Sequence, residues 1–293
     1  MSTVIRNENA VKSRRFALDK YRLIKQIGQG GCGKVYLAKN IVNSEQCAIK
    51  RICTQTAIAN KYLADEISTM KAVKHIPGVV RYIDSFKKQE TTNIVMEHIN
   101  GWNLQSIVEN LELEERVIAT LCKSILKSLQ QVHELQIIHR DIKCGNIMLT
   151  NDGETKLIDF GYATYCPEGG HVRSGKIGSM FWMAPEISQR KPYNEKSDIW
   201  SFGIMVMEMF LGDPPYYSTD ETNEFIVNRL AQGDIPIVDS MSSELQEFVQ
   251  RCLAISPEDR PSAEELLNDK FLDSAIPLTD VSHSVAQNED RLK

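Results

Sequence analysis

Two periods of apolar residues run through the chain and divide it. Up to residue 98 the period is mostly two, as strands require: Tyr21-Arg-Leu-Ile-Lys-Gln-Ile27, Val35 to Ala38 and Gln46-Cys-Ala48-Ile49-Lys50-Arg51-Ile52. Asn93-Ile-Val-Met96-Glu97-His98-Ile99-Asn100-Gly101 reads as a buried strand opening into a link. One helical stretch interrupts this half, from Ile58 to Lys74, with Leu63, Ile67 and Met70 on one stripe before Pro77-Gly78 ends it. Beyond the link the period becomes helical, continuously from Leu104 to His133, and Asp198-Ile-Trp200-Ser-Phe-Gly203 opens a buried helix through Met209. Ser262 with Glu265 forms a capping box that starts the last helix. The chain is polar over residues 1–20 and again over 273–293, where fraying is expected. The pattern thus predicts a small β-rich region over 21–98 and a larger helical region over 99–272.

One hairpin stands inside the helical half. Ile147-Met148-Leu149 and Thr155-Lys156-Leu157-Ile158 flank the polar turn Asn151-Asp152-Gly153. A hairpin brings its ends together, so Asn146 and Asp159 converge as an amide oxygen and a carboxylate, hard ligands suited to Mg²⁺. Just upstream, Asp141 can orient a hydroxyl nucleophile and Lys143 can neutralise oxygens that gain charge, the layout of a phosphoryl-transfer site. In the β-rich half, Gly28, Gly30 and Gly33 lie between two strands, where a backbone without side chains can approach phosphates. A dinucleotide fingerprint would need a helix to follow, and here a strand follows. Ala48 and Lys50 share a strand face. Glu66 faces inward beside the Leu63–Met70 stripe, which is costly for a carboxylate unless a cation meets it, and Lys50 is the natural partner; Asp65 faces differently.

Ile138 to Gly161, IHRDIKCGNIMLTNDGETKLIDFG, resembles the catalytic loop and metal-binding segment of the eukaryotic protein kinases, and the resemblance extends over Tyr21 to Leu272. It implies a two-lobed α+β fold, a small β-rich lobe with one regulatory helix and a larger helical lobe, using ATP and Mg²⁺. Asp141 is then the catalytic base or orienter, Lys143 meets the γ-phosphate, Asn146 and Asp159 hold Mg²⁺, and Lys50, held by Glu66, meets the α/β-phosphates. The glycines with Val35, Ala48 and Met148 contact ATP, Glu97 to Ile99 bond adenine, and Met96 is the gatekeeper. Asp198 braces the catalytic loop, and Glu186 of Ala184-Pro185-Glu186 pairs with Arg260. Gly178-Ser179-Met-Phe-Trp182-Met-Ala-Pro-Glu186 and Gly212-Asp-Pro-Pro-Tyr216 look most like the PAK group, serine/threonine kinases often switched by Rho-family GTPases. Lys143 and Ser179 favour serine/threonine over tyrosine acceptors. The rival is a nucleotide-binding pseudokinase scaffold, and a tyrosine or small-molecule kinase is a further alternative. The group's GTPase-binding and autoinhibitory motifs have no counterpart before Tyr21, so a Rho-family GTPase would act only through segments absent from this chain.

Composition narrows the partners. A net charge of -5 argues against nucleic acid, no apolar run reaches membrane-spanning length, and seven cysteines without a CxxC pair suit a reducing compartment. A cytoplasmic monomer acting on protein substrates is expected. Lys12, Arg14 and Arg15 form either a solvated tail or a nuclear-import patch.

Two expectations concern control and specificity. Arg140, before Asp141, usually meets a phosphothreonine in such kinases, but the register puts Gly175 there. Either phospho-Ser174 substitutes or the loop works without phosphate, and Gly169, Gly170 and Gly175 favour the second, because one phosphate must then overcome more ordering entropy. Glu208 matches a position that reads basic residues before the acceptor, or else it braces the helical lobe. Gly145 and Asn103 replace acidic or polar positions that support such reading, so basic preference is expected to be weak.

Overall fold

In the computed structural model, residues 20–30, 33–53, 57–172, 177–217, 219–236 and 238–292 are described. The chain divides into two compact units, one running to Lys74 and resuming over Val80–Ile99, the other made of His75–Val79 and Asn100–Lys293. The sequence pattern puts the boundary after residue 98, and His75–Val79, inside the expected first region, falls in the second unit.

The first unit is an antiparallel sheet with one helix. Its strands are β1 (Tyr21–Gly30), β2 (Gly33–Asn40), β3 (Gln46–Cys53), β4 (Tyr82–Lys88) and β5 (Thr91–Glu97), in the order β1-β2-β3-β5-β4. Alternation gives the sheet two faces. Ala38, Cys47, Ile49 and Val95 bury one of them, with Tyr21 and Phe86 stacked at its margin. The other carries Val35 opposite Lys50 and Ala48 opposite Met96. The helix α1 (Ala57–Val73) buries Leu63, Glu66 and Met70, while Ile67 is half-buried and Asp65 exposed.

The second unit is mainly helical. After β6 (Gly101–Asn103), the expected continuous helix is two: α2 (Leu104–Asn110) and α3 (Glu115–Glu134). Asn103 caps α2 through a bond from the Gln105 N–H, and Leu111 leaves it in extended conformation. Leu111-Glu-Leu113-Glu alternates with period two, which breaks the helical spacing. The strands β7 (Ile137–Ile138), β8 (Ile147–Thr150), β9 (Thr155–Leu157) and β10 (Thr164–Tyr165) follow. β8 and β9 pair antiparallel, which bears out the hairpin, and β6 adds to its outer side.

Next come α4 (Pro185–Ser188), α5 (Lys196–Leu211), α6 (Asn223–Ala231), α7 (Ser243–Cys252) and α8 (Ala263–Leu266). α5 is buried on every side from Ser197 to Met209, and Phe202 meets Phe248 of α7 edge-on at 6.2 Å. Each large apolar side chain fully withdrawn from water here stabilises the fold by roughly 1.5–3 kcal/mol. The capping box at Ser262 and Glu265 forms, yet α8 is not last. The stretch expected to fray contains α9 (Leu278–Gln287), whose Val281 and Val285 are buried at an i, i+4 spacing. Thr120 fixes its approach by donating to the Ile276 carbonyl and accepting from the Ile276 N–H. Among the described residues no helix is long and apolar enough to cross a membrane.

Candidate active site

The first unit holds a buried cation on the sheet face that carries Val35 and Ala48. β3 places Lys50 between Val35 and Ile94, and its ammonium meets Glu66 Oε1 at 2.7 Å, both side chains under a tenth exposed. The inward carboxylate of α1 is therefore met by the expected lysine. Gly28 lies opposite Val35 in the same row. Gly33 has φ of +149°, and a Cβ there would sit 2.3 Å from the Arg51 carbonyl oxygen, so only glycine lets β2 run this close to β3. Gly30 ends β1, while Met96 and Glu97 end β5 with Ile99 just beyond, half-buried. Glu97 Oε1 accepts the Arg81 N–H at 2.8 Å.

The second unit gathers the remaining groups. Asp141 is almost fully buried, and three donors hold its carboxylate: the Ser179 N–H to Oδ1 at 2.9 Å, Asn146 Nδ2 to Oδ2 at 2.7 Å, and Lys143 Nζ near Oδ2 at 3.2 Å. Asn146 Nδ2 also donates to the Asp141 carbonyl at 2.7 Å, which commits the amide nitrogen and turns the amide oxygen the other way. Lys143 donates to Ser179 Oγ as well and lies over the Trp182 ring. Gly178 makes this approach possible: its φ is +104°, and a Cβ would lie 2.3 Å from the Arg140 carbonyl oxygen. The Ile158 N–H donates to the Asn146 carbonyl at 2.9 Å, so the hairpin does join its ends. Asp159 follows with φ of +62°, exposed, its Oδ1 accepting from the Gly161 N–H, while Phe160 is fully buried against the His139 ring. Met148 sits half-buried on β8 opposite Asn103.

Support comes from α5. Asp198 accepts the His139 and Arg140 N–H groups, each at 2.8 Å, and His133 Nε2 approaches it at 2.9 Å. Burial alone would push its carboxyl up, but these partners outweigh burial and hold it below the usual range. Glu208 is 3% exposed, and its Oε2 accepts from both the Cys144 N–H and the Trp182 indole. Burial raises its pKa against those bonds. Arg140 donates to the Tyr162 and Ala163 carbonyls and to the Tyr193 hydroxyl, the last at 3.0 Å. Ser174 and Gly175 lie outside the described residues. Glu186 and Arg260 form a two-pronged pair at 2.7 and 2.8 Å.

The roles of His133, Trp182, Gly178 and Tyr193 are not expected from the sequence. Tyr193 stands 53 residues from the arginine it meets, and no local period links them.

Residues 21–272 match the model of the protein kinase domain. The chain belongs to the protein kinase domain family. Within it, the chain is similar to serine/threonine-protein kinases of the PAK and STE20 names. It is 36% identical to the serine/threonine-protein kinase shk1/pak1 of Schizosaccharomyces pombe, over 88% of this chain and 39% of that protein. It is equally identical to the serine/threonine-protein kinase PAK 1 of Mus musculus, over 90% and 48%. The value for STE20 of Saccharomyces cerevisiae is again 36%, over 92% and 30%. The kinase domain thus spans less than half the length of these relatives.

Proposed function

We propose that this kinase domain is catalytically competent and transfers the γ-phosphoryl group of ATP, with Mg²⁺, to serine or threonine hydroxyls of proteins. The observation that carries the reading is the Asp141 carboxylate held by Ser179, Asn146 and Lys143. Three donors fix its direction, so it can receive a hydroxyl proton in one orientation. Lys143 supplies positive charge where the transferred oxygens gain negative charge. Ser179, bonded to both, sets the acceptor serine or threonine against Asp141.

Asn146 and Asp159 fit Mg²⁺ by chemistry: the amide nitrogen is committed to Asp141, leaving an oxygen acceptor, and Asp159 offers a carboxylate. Bound Mg²⁺ would neutralise the phosphate oxygens of ATP. Lys50, fixed by Glu66, would hold the α- and β-phosphates, with Val35, Ala48, Met96 and Met148 on the base and the backbone of Glu97 to Ile99 bonding it. Glu208, buried and engaged twice by one oxygen, braces the catalytic loop in this reading. It does not read substrate arginine, and with Gly145 and Asn103 uncharged no strong basic preference is expected.

The decisive experiment is phosphotransfer from labelled ATP to a serine peptide. Asp159→Asn and Lys50→Met should each abolish transfer, a loss of several kcal/mol of transition-state stabilisation, in protein that still folds. Asp159→Asn, at an exposed position, should leave thermal unfolding unchanged, whereas Lys50→Met should lower it because the buried Glu66 loses its cation. Wild-type protein that binds ATP and phosphorylates no peptide would overturn the proposal and leave a nucleotide-binding scaffold.

A further inference from the structure

A cavity of about 790 Å³ opens on the helical unit, lined by none of the residues assigned to phosphotransfer. α2, the Leu111–Glu114 loop, the end of α5 and the inner side of α9 enclose it. Its floor is apolar: Val108, Met209, Val281 and Val285 line it and are each at most 5% exposed. Leu111, Leu113 and Leu211 continue that surface outward, Leu211 being 43% exposed.

The rim has one dominant sign. Glu109, Glu112, Glu114 and Asp213 line it against a single guanidinium, Arg291. Arg116 meets Glu114 at 2.7 Å at the solvent edge, which leaves the sum negative. Three helices also end there, α2 at Asn110, α5 at Leu211 and α9 at Gln287. A helix C-terminus carries partial negative charge and carbonyls without helical partners, so the backbone adds to the carboxylates.

We propose that this groove is a docking site for a short segment of a protein substrate in which lysines or arginines precede two aliphatic residues. The aliphatic side chains would cover the valine floor, and the cations would meet the carboxylates and helix ends. Calling the partner a substrate rests on the kinase reading; the binding itself does not. Other occupants fit worse. An anionic membrane or nucleic acid is repelled by the rim, and a second copy brings a net charge of -5 of its own.

The probe is a fluorescein-labelled peptide with three arginines ahead of a Leu-Ala-Leu run, titrated with the whole chain and read by anisotropy. Saturable binding is expected, weakening as salt rises. Two control peptides, arginine-to-glutamate and leucine-to-serine, should bind at least about tenfold more weakly. Glu109→Lys with Glu112→Lys reverses two exposed rim charges and should also cost about tenfold, while transfer to a peptide lacking the docking run stays unchanged. Ser284→Trp, at an exposed rim position of α9, should block the groove from the apolar side. Fusing the run to an acceptor peptide should lower its KM and leave kcat unchanged.

Absence of saturable binding, equal binding of the glutamate control, or undiminished binding by both variants would overturn the proposal. A concentration-dependent dimer that Ser284→Trp abolishes would overturn it in favour of a second copy. Binding without phosphorylation of any peptide would uphold docking and refute the kinase reading instead.

Discussion

Arg260 uses every donor it has. Nε bonds the Ala254 carbonyl, Nη1 bonds Glu186 and the Lys196 carbonyl, and Nη2 bonds Glu186 and the Ile255 carbonyl, with the guanidinium over the Trp200 ring. Five donors in a planar fork are what arginine supplies and lysine cannot. Glu186→Ala should therefore lower unfolding free energy by about 3–5 kcal/mol in urea titrations, since it strands a buried charge. A loss below about 1 kcal/mol would mean the pair is dispensable.

His139 makes a second residue-scale prediction. It is fully buried, and burial lowers its pKa despite the carboxylates of Asp198, Asp141 and Asp159, which act the other way. The unfolded chain takes up a proton near the ordinary value of 6.5 that the folded chain refuses. The stability held by neutral His139 is thus complete above that pH and is lost as pH falls below it. Thermal unfolding should drop in temperature from about pH 7.5 to 5.5, and His139→Gln should flatten the slope. A wild-type midpoint constant over that window would refute this. Much at this scale is legible in the chain. The inward Glu66 demanded a cation and Lys50 provides it, and the hairpin spacing located Asn146 and Asp159. Tyr193, Trp182 and His133 were not legible, because their partners lie far off in sequence and only packing brings them near.

At the scale of elements, the segment between Asp159 and Glu186 carries the question of activation. Arg140, the expected phosphate receiver, is engaged by two carbonyls of that segment and by Tyr193. A guanidinium so held can position the catalytic loop with no phosphate present. Ser174→Ala is accordingly expected to keep most phosphotransfer activity, and protein activated by ATP should carry no stoichiometric phosphate required on the segment. Near-complete loss in that variant, followed by mass spectrometry locating phosphate at Ser174, would establish the opposite. Element boundaries were less legible than element types. The period-two run Leu111-Glu-Leu113-Glu sits between two helical stretches, and reading across it merged α2 with α3. α9 was missed for the opposite reason: Val281 and Val285 are too few apolar positions to stand out in a polar stretch, though their spacing is helical.

On the scale of the molecule, the match to the family ends at residue 272, whereas the packed chain runs on to α9. Val281, Ser282 and Val285 are buried there, and Ser106 reaches the Leu292 carbonyl. A chain ending at Leu272 should melt several degrees lower than the whole chain, as roughly 2–4 °C per kcal/mol is expected at this size. An unchanged midpoint would show that α9 is merely draped on the surface. The same helix has a consequence in time. Asp141, Asn146 and Asp159 are all synthesised before Leu278, so a nascent chain holds these three residues while the side of the cavity formed by Val281 and Val285 is still missing. Until α9 has left the ribosome, the apolar surface it packs on is expected to be open to chaperones, and a translation product stalled before it to be marked for disposal although those three residues are already made.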